Sequence, residues 1–385
     1  MEVVSPIYKR WQHEAQSDPE AFWARAAREV FWFRTWDRVL DWQPPTFRWF
    51  TGATTNLSYN CLDLQVERGN GGCAALIAEH EDGTRRVFTY AQMLGEVKTV
   101  AAALRGLGVA RGDRVAIYMP TMPEAIITML AATRIGAIHL VVFAGFGSGA
   151  LAERCRLAGA RVLIAAGHTS RKGNRVDLWK IVKDAIAQPR SPIEKVVLLA
   201  RGKPPADLKR GRDILWEDFV SGGHGQPTDY EPMEANEPAY VLATSGTTAS
   251  PKIAVHSHGA YQVGIRSTAS WCFGMKRSDV WWSTSDIGWV VGHSYIVYAP
   301  LLFGCATIAY EGALDHPGPE NFYRIVEQNG VTGIFTAPTA VRMLMKSGTE
   351  PARGFNLDSV ERVFCAGEAL NTPAWKWFQK EVFHD

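Results

Sequence analysis

From residue 73 to residue 165 the chain alternates short apolar runs with helical patterns and leaves few residues between them. That alternation restricts the folds open to it. CAALIAEH, beginning at Cys73, has the content of a strand, Glu81-Asp82-Gly83 forms a turn, and RRVFTY supplies the hairpin partner. Thr89 is an N-cap for a helix over 90–107, which Gly108 stops. Strands over 114–119, 138–143 and 161–165 then alternate with helices over 123–135 and 151–157. Strands joined by helical crossovers lie parallel, so the pattern predicts an α/β fold with a mostly parallel, doubly wound sheet. Residues 201–236 are rich in Gly, Pro and charge and read as a surface connection, with a short helix near Trp216. Alternation resumes at Tyr240, with strands over 331–335 and 360–365 and helices over 320–329 and 338–347. The expected organisation is a Trp-rich N-terminal extension over 1–70, a first α/β subdomain over 71–236 and a second over 237–385, each doubly wound. In the extension Trp11, Trp23, Trp32, Trp36, Trp42 and Trp49 keep no period, and Pro44-Pro45 interrupts any long helix. Short helices and extended segments laid over a larger body are expected there.

Composition narrows the function. The 385 residues are 46% hydrophobic and 21% charged, enough for a sizeable core, and a net charge of +2 gives no general attraction to nucleic acid or membrane surfaces. The N-terminal segment mixes both charge signs without an apolar run, unlike a signal peptide, and the apolar stretch 295–310 is broken by Pro300 and Gly304. Six cysteines lie far apart with no C-x-x-C pair, the usage of reduced, buried residues. The expectation is a cytoplasmic enzyme acting on small molecules, with no residue assigned to a metal.

The chemistry is concentrated in YVLATSGTTASPKIAVHSH, residues 240–258. Two apolar strand segments flank Thr244-Ser245-Gly246-Thr247-Thr248-Ala249-Ser250, followed by Pro251 and Lys252. Glycine and small side chains let backbone N–H groups approach a bulky anion, hydroxyls donate to its oxygens, and Lys252 adds positive charge. This is a loop suited to phosphate; a Ser/Thr-rich hairpin connection is the plainer alternative. The nucleoside-triphosphatase pattern G-x-x-x-x-G-K-[ST] is absent. Gly145-Phe146-Gly147-Ser148-Gly149-Ala150 does fit the dinucleotide pattern after a strand, but no carboxylate follows at the end of the next strand, where Ile164-Ala165-Ala166-Gly167 stands. That turn therefore has two readings, an NAD-binding turn or a packing turn, and the second requires nothing the sequence lacks.

TSGTTASPK resembles the phosphate loop of the AMP-forming adenylating enzymes, TSGTTGxPKG. SDIGWVVGHSYIVYAPLLFG, FTAPTAVRMLM and CAGEALNTPAWKWF are similar, in the same order, to further motifs of acetyl-CoA and propionyl-CoA synthetases, as are WFTGATTNLSYNCLD and DRVAIYMPTMPEAIITMLAATRIGAIHLVVFAGF upstream. The resemblance implies two half-reactions: a carboxylate attacks the α-phosphorus of ATP, and the thiol of coenzyme A then displaces AMP. It also implies Mg²⁺ accompanying ATP, and roles residue by residue. Thr244, Ser245, Gly246, Thr247 and Thr248 would hold the phosphates, with Lys252 as the loop's cation; Gly367, Glu368 and Ala369 would face adenine. His293 would face the carboxylate and α-phosphate as a catalytic residue, its alternative being a structural histidine. Trp289, Val290, Val291 and Ala366 would line the acyl pocket. Arg171, Lys172 and Arg175 would meet the 3′-phosphate of coenzyme A, or else form a solvated basic loop.

Departures from the family pattern carry their own expectations. Ala249 and Ile253 replace loop glycines, and Ala369 replaces a proline. Acetate-specific relatives carry Thr and Val where this chain has Val291 and Ala366, so the pocket is expected to be wider and more apolar and to favour propionate, butyrate or a branched acid. The family's later motifs, including its C-terminal catalytic lysine, have no match before Asp385. The sequence therefore reads as the N-terminal portion of a longer ligase, expected to bind ATP weakly and turn over little by itself, with a non-catalytic remnant as the alternative.

Overall fold

The computed structural model describes residues 5–244 and 251–383. Two large sheets carry the chain. The first has seven strands in the order Asp213–Leu215, Lys195–Leu199, Val162–Ala166, Arg114–Tyr118, Ile138–Val141, Pro238–Thr244 and Lys252–Ser257. The second has six, in the order Arg362–Cys365, Gly333–Thr336, Val280–Ser283, Ala306–Glu311, Ala74–His80 and Arg85–Thr89. Neighbours are parallel in both sheets except at one edge of each, where an antiparallel hairpin closes the row. Runs such as Val162–Ala166, buried at every position, are apolar throughout because parallel sheets are covered on both faces.

The helices follow their local signals. Thr89 caps Tyr90–Gly106 with a reciprocal box: its hydroxyl accepts from the Gln92 N–H at 3.2 Å, and the Gln92 side chain accepts from the Thr89 N–H at 2.9 Å. Pro123–Arg134 starts on a proline and is buried almost along its whole length, including Arg134 at its end. The Arg134 guanidinium, 1% exposed, meets both oxygens of Asp63 at 2.6 and 3.0 Å and donates to the Thr228 carbonyl at 2.7 Å.

The sheets exchange strands. The hairpin over 74–89 belongs to the sheet completed after residue 280, while the hairpin over 238–257 closes the sheet begun at residue 114. A division at 236/237 thus separates stretches of chain but not sheets. Apolar runs mark a strand as buried; they do not say which neighbour buries it.

The extension forms helices Pro6–Ser17 and Pro19–Ala27, then the hairpin of Arg38–Gln43 and Thr46–Thr51, turning at Pro44-Pro45. Its small core of Ala27, Trp32 and Phe50 packs on Ala235 and Val263. Trp11 and Trp23 approach Trp271 on the helix His258–Trp271, at 5.2 and 6.1 Å between ring centroids. Elements the pattern did not foretell lie between 168 and 199: a hairpin of His168–Arg171 and Asn174–Asp177, the helix Leu178–Ile186 and the strand Lys195–Leu199. The hairpin is short and largely exposed, so its residues carry no apolar alternation.

Candidate active-site cleft

The strands of the two sheets run out toward a shared cleft of about 720 Å³. Open α/β sheets place ligands outside the carboxyl ends of their strands, and the cleft lies there in both. Thr121 follows Arg114–Tyr118 and Phe143 follows Ile138–Val141; from the second sheet come Asp286 and Trp289, Glu311, and Thr339. Arg171 and Lys172, from the 168–177 hairpin, line the same space. Its volume suits an organic ligand of metabolite size.

Trp289 makes the aromatic wall. It is 48% exposed and touches Phe143 and Phe146 at 5.7 and 6.0 Å between centroids. Its turn presses so closely on the first sheet that a Cβ at Gly288 would meet the Phe143 backbone at 2.7 Å. The 145–150 turn, which fits the dinucleotide pattern, takes part in this packing: a Cβ at Gly145 would strike the Phe143 ring at 2.4 Å, and the Arg154 guanidinium lies over Phe146. Gly145 serves close packing here, whereas Gly147 has open space around its Cβ position.

Asp286 was not singled out in the sequence, although it lies within a quoted motif. Its carboxylate accepts from the Gly288 N–H at 2.6 Å and from the Thr121 hydroxyl at 3.2 Å, joining the two sheets at the cleft floor. Burial raises its pKa above the ordinary carboxylate value, against the opposing effect of those hydrogen bonds.

The other expected residues fall into three groups. Thr244 and Lys252 pair across the hairpin, the Thr244 hydroxyl donating to the Lys252 carbonyl at 3.3 Å; Ser245, Gly246, Thr247 and Thr248 lie outside the described residues. On the opposite flank Ala366, Gly367, Glu368 and Ala369 are exposed. Gly367 has φ +103°, a conformation that suits glycine. Glu368 forms an ion pair with Arg342 at 2.7 Å and accepts from the Thr339 hydroxyl, which lowers its pKa, and the Ala369 carbonyl accepts from Arg342 at 3.4 Å. The segment is thereby tied to the helix Pro338–Met345, whose Thr339 lines the cleft. The third group does not converge. Val290 is exposed, Val291 packs against the core, and neither lines the cleft. His293 is fully buried and is absent from the cleft wall.

The basic hairpin is held by groups that carry no sequence signal. Buried Glu81, at the end of the second sheet, accepts the N–H groups of Lys172 and Gly173, both at 2.9 Å, and of Ala313 at 3.3 Å. Glu311 accepts from the Thr169 hydroxyl at 2.8 Å and from Arg201 at 2.6 Å, and the Lys172 ammonium meets Asp315 at 2.7 Å. Arg175 is exposed on the second strand of the hairpin, opposite Ser170. Among the described residues no group of three or more His, Cys, Asp or Glu side chains gathers as a metal site. Also among the described residues, no helix is long and apolar enough to cross a membrane.

Two mostly parallel sheets that share one ligand-sized cleft beyond the ends of their strands define an open α/β protein. The chain belongs to the AMP-binding enzyme family, whose model matches residues 63–384, and residues 8–61 match the acetyl-coenzyme A synthetase N-terminus. It is 42% identical over 370 residues to the acetyl-coenzyme A synthetase of Rubrobacter xylanophilus, a match covering 96% of this chain and 57% of that protein. It is 41% identical over 367 residues to the 3-hydroxypropionyl-coenzyme A synthetase of Metallosphaera sedula, covering 94% and 55%. The solved acetoacetyl-CoA synthetase from Streptomyces lividans superposes with a TM-score of 0.86 at 25% identity, covering 96% of this chain and 56% of that one. The chain thus spans well under two thirds of the length of these relatives.

Proposed function

We propose that the chain is the nucleotide- and acyl-binding portion of an AMP-forming acid–thiol ligase that activates a short-chain carboxylate and passes it to coenzyme A. One observation supports the reading: the strand Pro238–Thr244 runs parallel to Ile138–Val141, so Thr244 ends on the side of the sheet where Phe143, after the second strand, lines the cleft with Trp289. A substrate carboxylate oxygen would attack the α-phosphorus, forming an O–P bond as the bond to the β-phosphate's bridging oxygen breaks and pyrophosphate leaves. The coenzyme A sulfur would then attack the acyl carbon, and AMP would depart with the C–O electron pair. The first step asks the protein mainly to align the reactants and neutralise phosphate charge.

In this reading Thr244 to Thr248 and Lys252 hold the phosphates, Gly367 to Ala369 border adenine, and Trp289, with Val291 and Ala366, bounds the acyl group. Arg171, Lys172 and Arg175 receive the coenzyme A phosphate, and Mg²⁺ travels with ATP. Val291 packs into the core and is not part of the cleft lining, so any effect it has on acyl size would be indirect. Preference for propionate or butyrate over acetate belongs to the same proposal. An ATP–pyrophosphate exchange assay on the longest product of the gene, across a chain-length series of carboxylates, tests it. Exchange dependent on a short carboxylate supports the reading. Exchange absent with every acid, or a highest kcat/KM for acetate, overturns the activity and the preference respectively.

A further inference from the structure

We infer that His293 is a positioning residue, which sets the Trp289 wall of the cleft from beneath by holding the Trp289 carbonyl while stacked on Tyr240 and His139. The inference takes its functional meaning from the acyl-site reading above, but its geometry stands apart from it.

Trp289 needs such a hold. Nearly half its surface faces solvent and its ring contacts are with Phe143 and Phe146, so its orientation depends on the backbone that carries it. That backbone is gripped on both sides. Before it, the Trp289 N–H donates to the Asp286 carbonyl at 3.1 Å, and Asp286 is tied to Thr121 of the first sheet. After it, the Trp289 carbonyl accepts from the His293 N–H at 3.0 Å and lies 3.0 Å from His293 Nδ1. A carbonyl only accepts, so Nδ1 carries the proton, and Nε2 is left enclosed without a partner. The ring stacks on Tyr240 at 4.6 Å and 28° and on His139 at 5.3 Å and 17°. Tyr240 and His139 are themselves partners across adjacent parallel strands of the first sheet. A turn that leaves the second sheet is therefore seated on two side chains of the first. Burial keeps the imidazole neutral, with its pKa near 3, so the Nδ1–H donor persists across the physiological range while Nε2 is closed to substrate. Tyr240 also lies on the strand that enters the phosphate loop, so one stack supports both ends of the proposed reaction site.

The test labels the 385-residue chain with 5-fluorotryptophan and assigns the Trp289 ¹⁹F resonance with Trp289→Phe. Asparagine places an amide nitrogen where Nδ1 stands; leucine fills the space without a donor. The Trp289 resonance is expected to move or split in His293→Leu and to return near its original position in His293→Asn, while the Trp42 resonance stays put. An unchanged Trp289 resonance in a folded His293→Leu chain overturns the inference. Should His293→Leu fail to fold, His293→Gln, whose amide matches Nε2 instead, carries the same contrast with His293→Asn. A Trp289 resonance that titrates in wild type at about pH 6–7 also overturns it, since the imidazole would then change charge. On the longest gene product, His293→Leu is expected to raise carboxylate KM about tenfold with kcat within about threefold, and His293→Asn to restore it. A selective loss of kcat would place His293 in the chemistry and overturn the inference. Fluorine shifts as expected in a protein without ligase activity would leave the positioning intact and remove the functional reading.

Discussion

At the scale of single residues, the backbone at Gly367 and the buried histidines give the sharpest consequences. Gly367 holds φ +103° with open space around its Cβ position, so Gly367→Ala adds strain and no clash. A loss of about 1–2 kcal/mol is expected by urea denaturation, together with weaker nucleotide binding by calorimetry. His258 and His293 both have pKa values lowered from 6.5 to about 3 by burial. The native state thus binds fewer protons than the unfolded chain between those values. Stability should be fully present above about pH 6.5 and fall by about 1.4 kcal/mol per pH unit per histidine as pH drops toward 3. The groups facing His258 are Glu237, which opposes the shift, and Arg111, which adds to it; His293 faces His139, His256 and the Trp289 carbonyl. Urea midpoints at pH 7.5 and 5.5 measure the effect, and equal midpoints would remove it. The stretch 244–252 stands out in the sequence because small residues, hydroxyls and a lysine occur together, but its residues 245–250 lie outside the described ones. The burial of His293 could not be read there: GHSY fits a site or a core histidine, and its stacking partners, 139 and 240, lie far from it in the chain.

At the scale of elements, the 168–177 hairpin illustrates a different limit. Its basic residues were visible in the sequence, but what holds them was not, since Glu81 and Glu311 lie some 90 and 140 residues away in the chain. Glu81→Ala would leave the N–H groups of Lys172, Gly173 and Ala313 without their acceptor. Amide exchange at Lys172 and Gly173 should accelerate by more than about tenfold while the strand Val162–Ala166 keeps its protection. The buried ion pair of Arg134 and Asp63 joins the last turn of one helix to the segment below the extension. Arg134→Ala strands the carboxylate, and a loss of about 3–5 kcal/mol in urea is expected, whereas replacing both partners with apolar residues should cost far less.

At the scale of the whole molecule, alternation of strand and helix was enough to specify two parallel α/β layers, because continuous apolar runs are what such sheets require. Sheet membership was beyond its reach. The exchanged hairpins predict that fragments 71–236 and 237–385, produced separately, show no cooperative unfolding by circular dichroism, and that mixing them restores a transition. The exchange also bears on how the protein is made. His80 pairs with Glu311, about 230 residues further along, so an early hairpin leaves the ribosome long before its sheet exists. At a synthesis rate of about 5–20 residues per second, the edge of Ala74–His80 waits roughly 10–50 s uncovered. During that interval the newborn chain presents an apolar strand to any passing edge.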